Sequence, residues 1–284
     1  MKKIINILTV ALLMAAFDVN AQPGVFQPGD YRDGIYDKEN ANNRRYIPYT
    51  HLREADVVWE KRVWRELDLR EKINQPLFYP INFDPSANGR LSLIRMLSQY
   101  IIQGKILAFV DEDFMVPFEI AQVKTKLVEC DSVKDVGYDA EGNEITTSRW
   151  NCDSVSLLRN ISVFRMKEDW FFDKQKSVLE VRILGLQVLM RDEEKGGLKQ
   201  LFWVYFPACR PFFAKHEVYN MKNDSERRTF EDVFWKRQFS SKVFKETNVY
   251  DRQIDEYSKG IDALLESDRV KQDIFQWEHD LWHF

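Results

Sequence analysis

Three groups of residues in this chain have types and spacings that suit chemistry. Asp111, Glu112 and Asp113 are consecutive carboxylates. Such a set can hold a hard cation, or supply the carboxylate pair of glycoside hydrolysis. The glycine and distal glutamate of a calcium loop are missing, and an acidic turn after a strand is commonplace. His279 and His283 stand four apart with Glu278 and Asp280 beside them. That spacing can hold zinc on one helix face, but no third ligand is evident. Cys209 and His216 could form a thiolate–imidazole pair. Pro211 interrupts the gap between them, and no orienting Asn or Asp is identifiable. With four histidines in 284 residues, general bases are few. No glycine-rich phosphate loop and no Gly-x-Ser-x-Gly elbow occurs. The expectation is a protein that binds rather than catalyses, with no metal and no cofactor.

The chain start sets the compartment. Met1-Lys2-Lys3 is a basic cap, and Ile4–Phe17 is an apolar run broken by Asn6 and Thr9. Val19-Asn20-Ala21 suits a cut between Ala21 and Gln22. Residues 1–21 therefore read as a secretory signal peptide, too short for an ordinary membrane span. No cysteine lies near the cut, which argues against a lipoprotein signal. Removing Lys2, Lys3 and Asp18 with this segment takes the net charge from −4 to −5. A mildly acidic chain lacks the basic footprint that nucleic acid requires. Downstream of the cut, no apolar stretch of about 18 residues remains to span a membrane.

Export makes a disulfide possible. Cys130 and Cys152 each begin the tetrapeptide Cys-Asp-Ser-Val, and a turn signal, Asp139-Ala-Glu-Gly-Asn143, lies midway. Folding there places the two cysteines opposite each other in a β-hairpin spanning Val123–Val136 and Ile145–Leu158. A bridge closing that loop would contribute roughly 3 kcal/mol in the chain-entropy model. The same register sets Glu129 against Asp153, an unfavourable pair, and two free thiols are the alternative. Cys209 is left over and reads as a small core residue.

The elements that must position these residues follow from periodicity. Residues 22–50 are polar and extended, an arm that docks on a partner. Residues 51–284 form a single domain. Thr50 caps a predicted helix to about Lys72, with Leu52, Ala55, Trp59, Val63 and Leu67 on one face and Val57 and Trp64 nearly opposite. A second helix covers Arg90–Gln103. Ile106–Val110, Val178–Met190 and Leu198–Phe206 read as strands. The spacing then predicts a helix from Thr229, with Thr229 and Asp232 resembling a capping box. Phe230, Val233 and Phe234 share one face, joined by Phe244 if the helix continues that far. Trp235, Phe239 and Val243, each four apart, form a second stripe. Two stripes mean burial between layers or a second partner. Val57, Trp64, Trp235, Phe239 and Val243 are thus the candidate interface. Two further amphipathic stretches, Ile254–Leu265 and Val270–Leu281, follow. The fold class is α+β, with central antiparallel strands, a long β-hairpin and flanking N- and C-terminal helices.

One block stands out: Leu201–Tyr257 holds fourteen aromatics and nineteen charged residues in 57 positions. Rings and charges at that density suit a surface covered by other proteins. With Trp59–Pro80 (WEKRVWRELDLREKINQPLFYP), Glu180–Leu186 (EVRILGL), Leu201–Asn220 (LFWVYFPACRPFFAKHEVYN) and Thr229–Tyr257, the chain resembles the GldN/PorN family, the gliding-motility and type IX secretion protein N. The cysteine hairpin has no counterpart in that pattern. The resemblance implies a non-catalytic periplasmic subunit of the type IX secretion and gliding machinery at the inner face of the outer membrane. Its implied partners are an outer-membrane lipoprotein, protein K (GldK/PorK), ring neighbours of its own kind and the inner-membrane motor proteins L and M. The competing reading is a periplasmic carbohydrate- or peptide-binding protein that uses the aromatics as a stacking platform.

Overall fold

The computed structural model describes residues 44–81, 90–127, 129–138, 144–153, 160–191, 197–220, 222–223 and 225–281. In chain order its elements are β1 (Val57–Asp68), α1 (Gln75–Phe78), α2 (Leu93–Ile102), β2 (Ala108–Phe109), α3 (Ile120–Leu127), β3 (Glu129–Tyr138) and β4 (Glu144–Asp153). Next come β5 (Ile161–Asp173), β6 (Val178–Arg191), β7 (Leu198–Tyr205), α4 (Phe206–Phe213), β8 (Glu217–Val218), β9 (Arg228–Thr229), α5 (Phe230–Trp235), β10 (Lys242–Glu246), α6 (Ile254–Tyr257) and α7 (Ile261–Asp280). Six strands make one antiparallel sheet in the order β10-β1-β5-β6-β7-β2, and β3–β4 forms a separate hairpin. The α+β class expected from sequence is the one observed.

Residues paired across antiparallel strands share a face. On one face Leu67 meets Phe164, Met166 meets Leu186, and Val188 meets Phe202. Together with residues of α2, α4 and α5 these build the larger core. At the far end Val63 and Val243 pack against Val270 and Ile274 of α7, and Trp59 stacks on Trp277 at 4.4 Å. Between the two cores Glu168, fully buried, accepts from Arg237 Nη2 at 3.1 Å and Trp170 Nε1 at 3.3 Å. A buried charge persists only when paired and hydrogen-bonded, as here.

The other face carries a charged ladder. Arg62 binds Asp169 through two bonds of 2.6 and 2.8 Å, and Arg165 donates to Glu66 at 3.1 Å. The turn after β2 crosses this face. Trp64 Nε1 donates to Glu112 Oε2 at 2.7 Å, and Lys167 donates to the Glu112 carbonyl and to Asp113. Phe114, with a left-handed φ of 59°, lies over Gly185. A Cβ on Gly185 would sit 2.5 Å from Phe114 Cζ, so only glycine fits beneath the ring.

Four expectations need correction. The predicted helix from Thr50 to Lys72 is strand β1. Trp59, Val63 and Leu67 recur every four residues, a spacing that keeps one side of a strand as well as of a helix. The expected helix beyond Thr229 ends at Trp235, because Arg237 is left-handed at φ 51°. Phe239 therefore lies in a loop, and Val243 and Phe244 lie in β10. The first third of the expected strand Val123–Val136 is helix α3. The last two amphipathic stretches divide elsewhere: α6 stops at Tyr257, and one helix of 20 residues runs from Ile261. Gly260, at φ 62°, marks the break.

Candidate interaction site around Arg210

The aromatic block forms α4, whose Arg210 is 1% exposed. Pro207 opens this helix, and Phe206 and Phe213 turn into the core against Phe234 of α5. Arg210 has to pair to remain charged at this depth. Its Nε donates to Glu231 Oε1 at 2.9 Å, and its Nη2 donates to the same oxygen and to the Ile47 carbonyl at 2.6 Å. Its guanidinium carbon stands 4.0 Å from the ring centroid of Tyr49, 5.1 Å from Trp235 and 5.3 Å from Tyr46. Three ring faces and a carboxylate thus enclose one cation, each ring adding electrostatic attraction.

Helix α5 is short and is fixed at its start. Thr229 Oγ1 accepts from the Asp232 amide at 3.2 Å, while Asp232 Oδ2 accepts from the Thr229 amide at 3.0 Å. The expected capping box is present, and it orients Glu231 towards Arg210 and Trp235 along the surface. Asp232 also takes Arg44 at 3.1 Å.

Residues 44–50 lie across this cluster in extended form. Tyr49 stacks on Trp235 with centroids 6.1 Å apart, Arg182 Nη2 donates to the Thr50 carbonyl at 2.8 Å, and Lys176 donates to Thr50 Oγ1 at 2.7 Å. Burial pushes the Tyr49 phenol above its ordinary range, with Arg210 opposing, so the ring is neutral at physiological pH. Glu231 has a second oxygen, Oε2, without a partner among the described residues. A cavity of about 350 Å³ is lined by residues 47–50 and by Glu180, Val181, Arg182 and Ile183 of β6.

The candidate interface residues do not come together. Trp235 is half exposed and belongs to this site. Phe239 is half buried against Phe234 at 5.9 Å. Trp64 and Val243 are 6% and 2% exposed, so they are covered by the chain itself and offer no surface to a partner. Val57 is half buried at the start of β1. Sequence reasoning missed Arg210, Glu231, Tyr46 and Tyr49. An arginine set within an otherwise apolar LFWVYFPACRPFF was the available signal, since such a charge needs a buried partner.

The residues first singled out for chemistry are dispersed. Glu112 and Asp113, in the crossing turn, bind Trp64 and Lys167, while the Asp111 carbonyl accepts from the Phe114 amide at 3.3 Å. Cys209 is buried, its thiol donates to the Tyr205 carbonyl at 3.4 Å, and burial drives its pKa upward, away from thiolate. His216 bonds the Tyr100 hydroxyl at 2.9 Å instead. Burial, aided by Lys215, pulls its pKa below the usual histidine value. His283, Ala21 and Gln22 lie outside the described residues. The backbone register of β3 and β4 sets Cys130 opposite Cys152 and Glu129 opposite Asp153. The side chains of that hairpin lie outside the described residues. Among the described residues no group of three or more His, Cys, Asp or Glu could hold a metal, and no helix is long and apolar enough to cross a membrane.

No curated protein matches the chain. The model of one protein family, the gliding motility associated protein GldN, matches residues 52–283. That span contains α4, α5 and all six strands of the main sheet, and on this evidence the chain belongs to the GldN family of gliding motility associated proteins.

Proposed function

We propose that this protein is a structural periplasmic subunit of the type IX secretion and gliding machinery. In this reading it binds an outer-membrane lipoprotein of the protein K kind, repeats around a ring with copies of itself, and meets the inner-membrane motor proteins L and M. It carries no catalytic centre, metal or cofactor. The observation that carries the reading is the family match over residues 52–283. The aromatic cluster supports it. Its rings enclose Arg210 and a stretch of main chain rather than a reacting atom, and half of Trp235 remains exposed at the rim. Rings that anchor main chain and leave a half-covered edge are what an assembly subunit presents to neighbours.

For Trp64 and Trp203 the sugar-stacking alternative is disfavoured by burial. Trp64 and Trp203 are 6% and 5% exposed, and Lys245 lies over the Trp64 ring at 4.6 Å. Neither ring offers a free face to a saccharide. The test is deletion with complementation. A null strain should lose secretion of type IX cargo, and the tagged protein should co-purify with the lipoprotein as one large particle. Normal secretion in the null strain would overturn the reading.

A further inference from the structure

Helix α7 packs through one side only. Val270 and Ile274 turn into the smaller core with Val63 and Val243, and Trp277 stacks on Trp59. The opposite side faces solvent, and it is not the polar side expected of a surface helix. Ile261 is 76% exposed, Phe275 67%, Leu265 62% and Leu264 54%. Large apolar side chains gathered on the outward face of one helix mark a contact surface.

The spacing on that face says what fits it. Ile261, Leu265, Asp268, Gln272, Phe275 and His279 follow one another at steps of four, three, four, three and four residues. That is the seam by which one helix packs along another. All six residues are exposed. The seam has its polar pair, Asp268 and Gln272, in the middle and apolar residues on both sides. A reversed copy of α7 therefore sets Leu265 against Phe275 and Asp268 against Gln272, each pair occurring twice about a two-fold axis. Ile261 then lies beside His279. Lys271 donates to Oδ1 of Asp268 at 2.9 Å, which leaves Oδ2 to accept from a Gln272 amide. Two Asp268 carboxylates and two Lys271 ammonium groups gather around the axis and balance in charge. A copy running in the same direction would instead set Asp268 against Asp268, and like charges placed together oppose association. Matching apolar to apolar and donor to acceptor thus selects a second copy of this chain, reversed.

We propose that α7 is a contact between copies of this protein, in which two α7 helices pack antiparallel about a two-fold axis along this seam. The proposal deepens the assembly reading above and rests on it. A seam of six residues a side is smaller than the roughly 20–30 of a standard interface. Free copies therefore pair weakly, and the contact fills when the assembly holds copies close together. A two-fold contact also closes on itself, so it joins copies in pairs and leaves the other contacts of the assembly to other surfaces.

The test expresses two differently tagged full-length copies in the protein's own cell, one carrying Leu265→Cys and the other Phe275→Cys. The assembly is purified and oxidised, and disulfide dimers are scored by non-reducing electrophoresis, with unsubstituted copies as background. The mixed dimer should exceed either self-dimer by about tenfold or more, the weight of one well-placed contact side chain. Gln272→Glu in both copies, which sets carboxylate against carboxylate, should lower the mixed dimer to a similar degree. Adding Asp268→Asn, which exchanges the donor and acceptor roles, should restore it. Both positions face outward, so the melting temperature of the isolated protein should stay nearly unchanged. Self-dimers as abundant as the mixed dimer, disulfides only to a different polypeptide, or a yield indifferent to Gln272→Glu would overturn the proposal. Particle size of the unsubstituted assembly separates the two failures. A normal particle without the mixed dimer sinks the α7 contact alone; no particle at all sinks the assembly reading.

Discussion

The guanidinium carbon of Arg210 lies 4.0 Å from the centroid of the Tyr49 ring, although the two residues belong to distant parts of the chain. The contact draws the segment before β1 onto the aromatic block, and Glu231 on α5 completes the enclosure. One buried cation thus ties three parts of the molecule together.

Arg210→Ala should cost about 3–5 kcal/mol, because it leaves Glu231 buried without its partner. Urea denaturation reads the loss, and limited proteolysis should find residues 44–50 cleaved faster. A cost below about 1 kcal/mol would mean that the enclosure does not hold the segment.

Trp235→Ala should cost far less. The ring is half exposed, and its specific contributions are the Tyr49 stack, worth about 1 kcal/mol, and its contact at 5.1 Å with the Arg210 guanidinium. Phe213→Ala, fully buried against Phe206 and Phe234, should cost about 3–5 kcal/mol. If Trp235 has a partner, its substitution should weaken assembly more than folding. Equal folding losses for the two variants would contradict this ranking.

Gly185→Ala should destabilise by about 1–3 kcal/mol, since the new methyl group drives into Phe114. Phe114→Ala in the same chain should recover part of that loss. Strict additivity of the two substitutions would mean that the ring does not rest on Gly185.

Stability should fall through His216 as the pH drops below the ordinary histidine value. Burial holds its folded pKa below the ordinary value, so the unfolded chain binds the proton more readily. Stability then rises with pH through the interval between the folded and unfolded values and is lost on acidification. In His216→Gln the slope of unfolding free energy against pH should flatten in that window. Groups such as Asp68, whose carboxyl Arg70 holds below its usual range, act at lower pH and should be unaffected.

Cys130 and Cys152 should be bridged in the protein isolated from its own cell, since the β3–β4 register pairs their backbones. Non-reducing peptide mapping should recover them as one linked species. Native alkylation should also spare Cys209, whose thiol is buried and protonated. Recovery of Cys130 in alkylated form would exclude the bridge.

Much of this was legible in the residues. The cysteine register, the capping box at Thr229, the strands Val178–Met190 and Leu198–Phe206, the α+β class and the family resemblance rest on local patterns. Turn chemistry, alternation and short-range capping act within a few positions, so the sequence carries them directly. The identity of β1 was not legible, because Trp59, Val63 and Leu67 recur at a spacing common to helix and strand. Pairing with β5 and β10 decides it. The stripe of Trp235, Phe239 and Val243 dissolved for a related reason: Arg237 ends the helix, and the three residues enter three different surroundings. Arg210 was visible as a charge in an apolar run, but its partners were not. Tyr46, Ile47, Tyr49 and Glu231 reach it only through the tertiary fold, and no local pattern encodes contacts made across such distances in the chain. By itself the sequence determined which segments alternate, turn and cap, and the family to which the chain belongs. The tertiary structure decided which rings are buried and which charge they enclose, because those depend on burial among parts of the chain far apart in sequence.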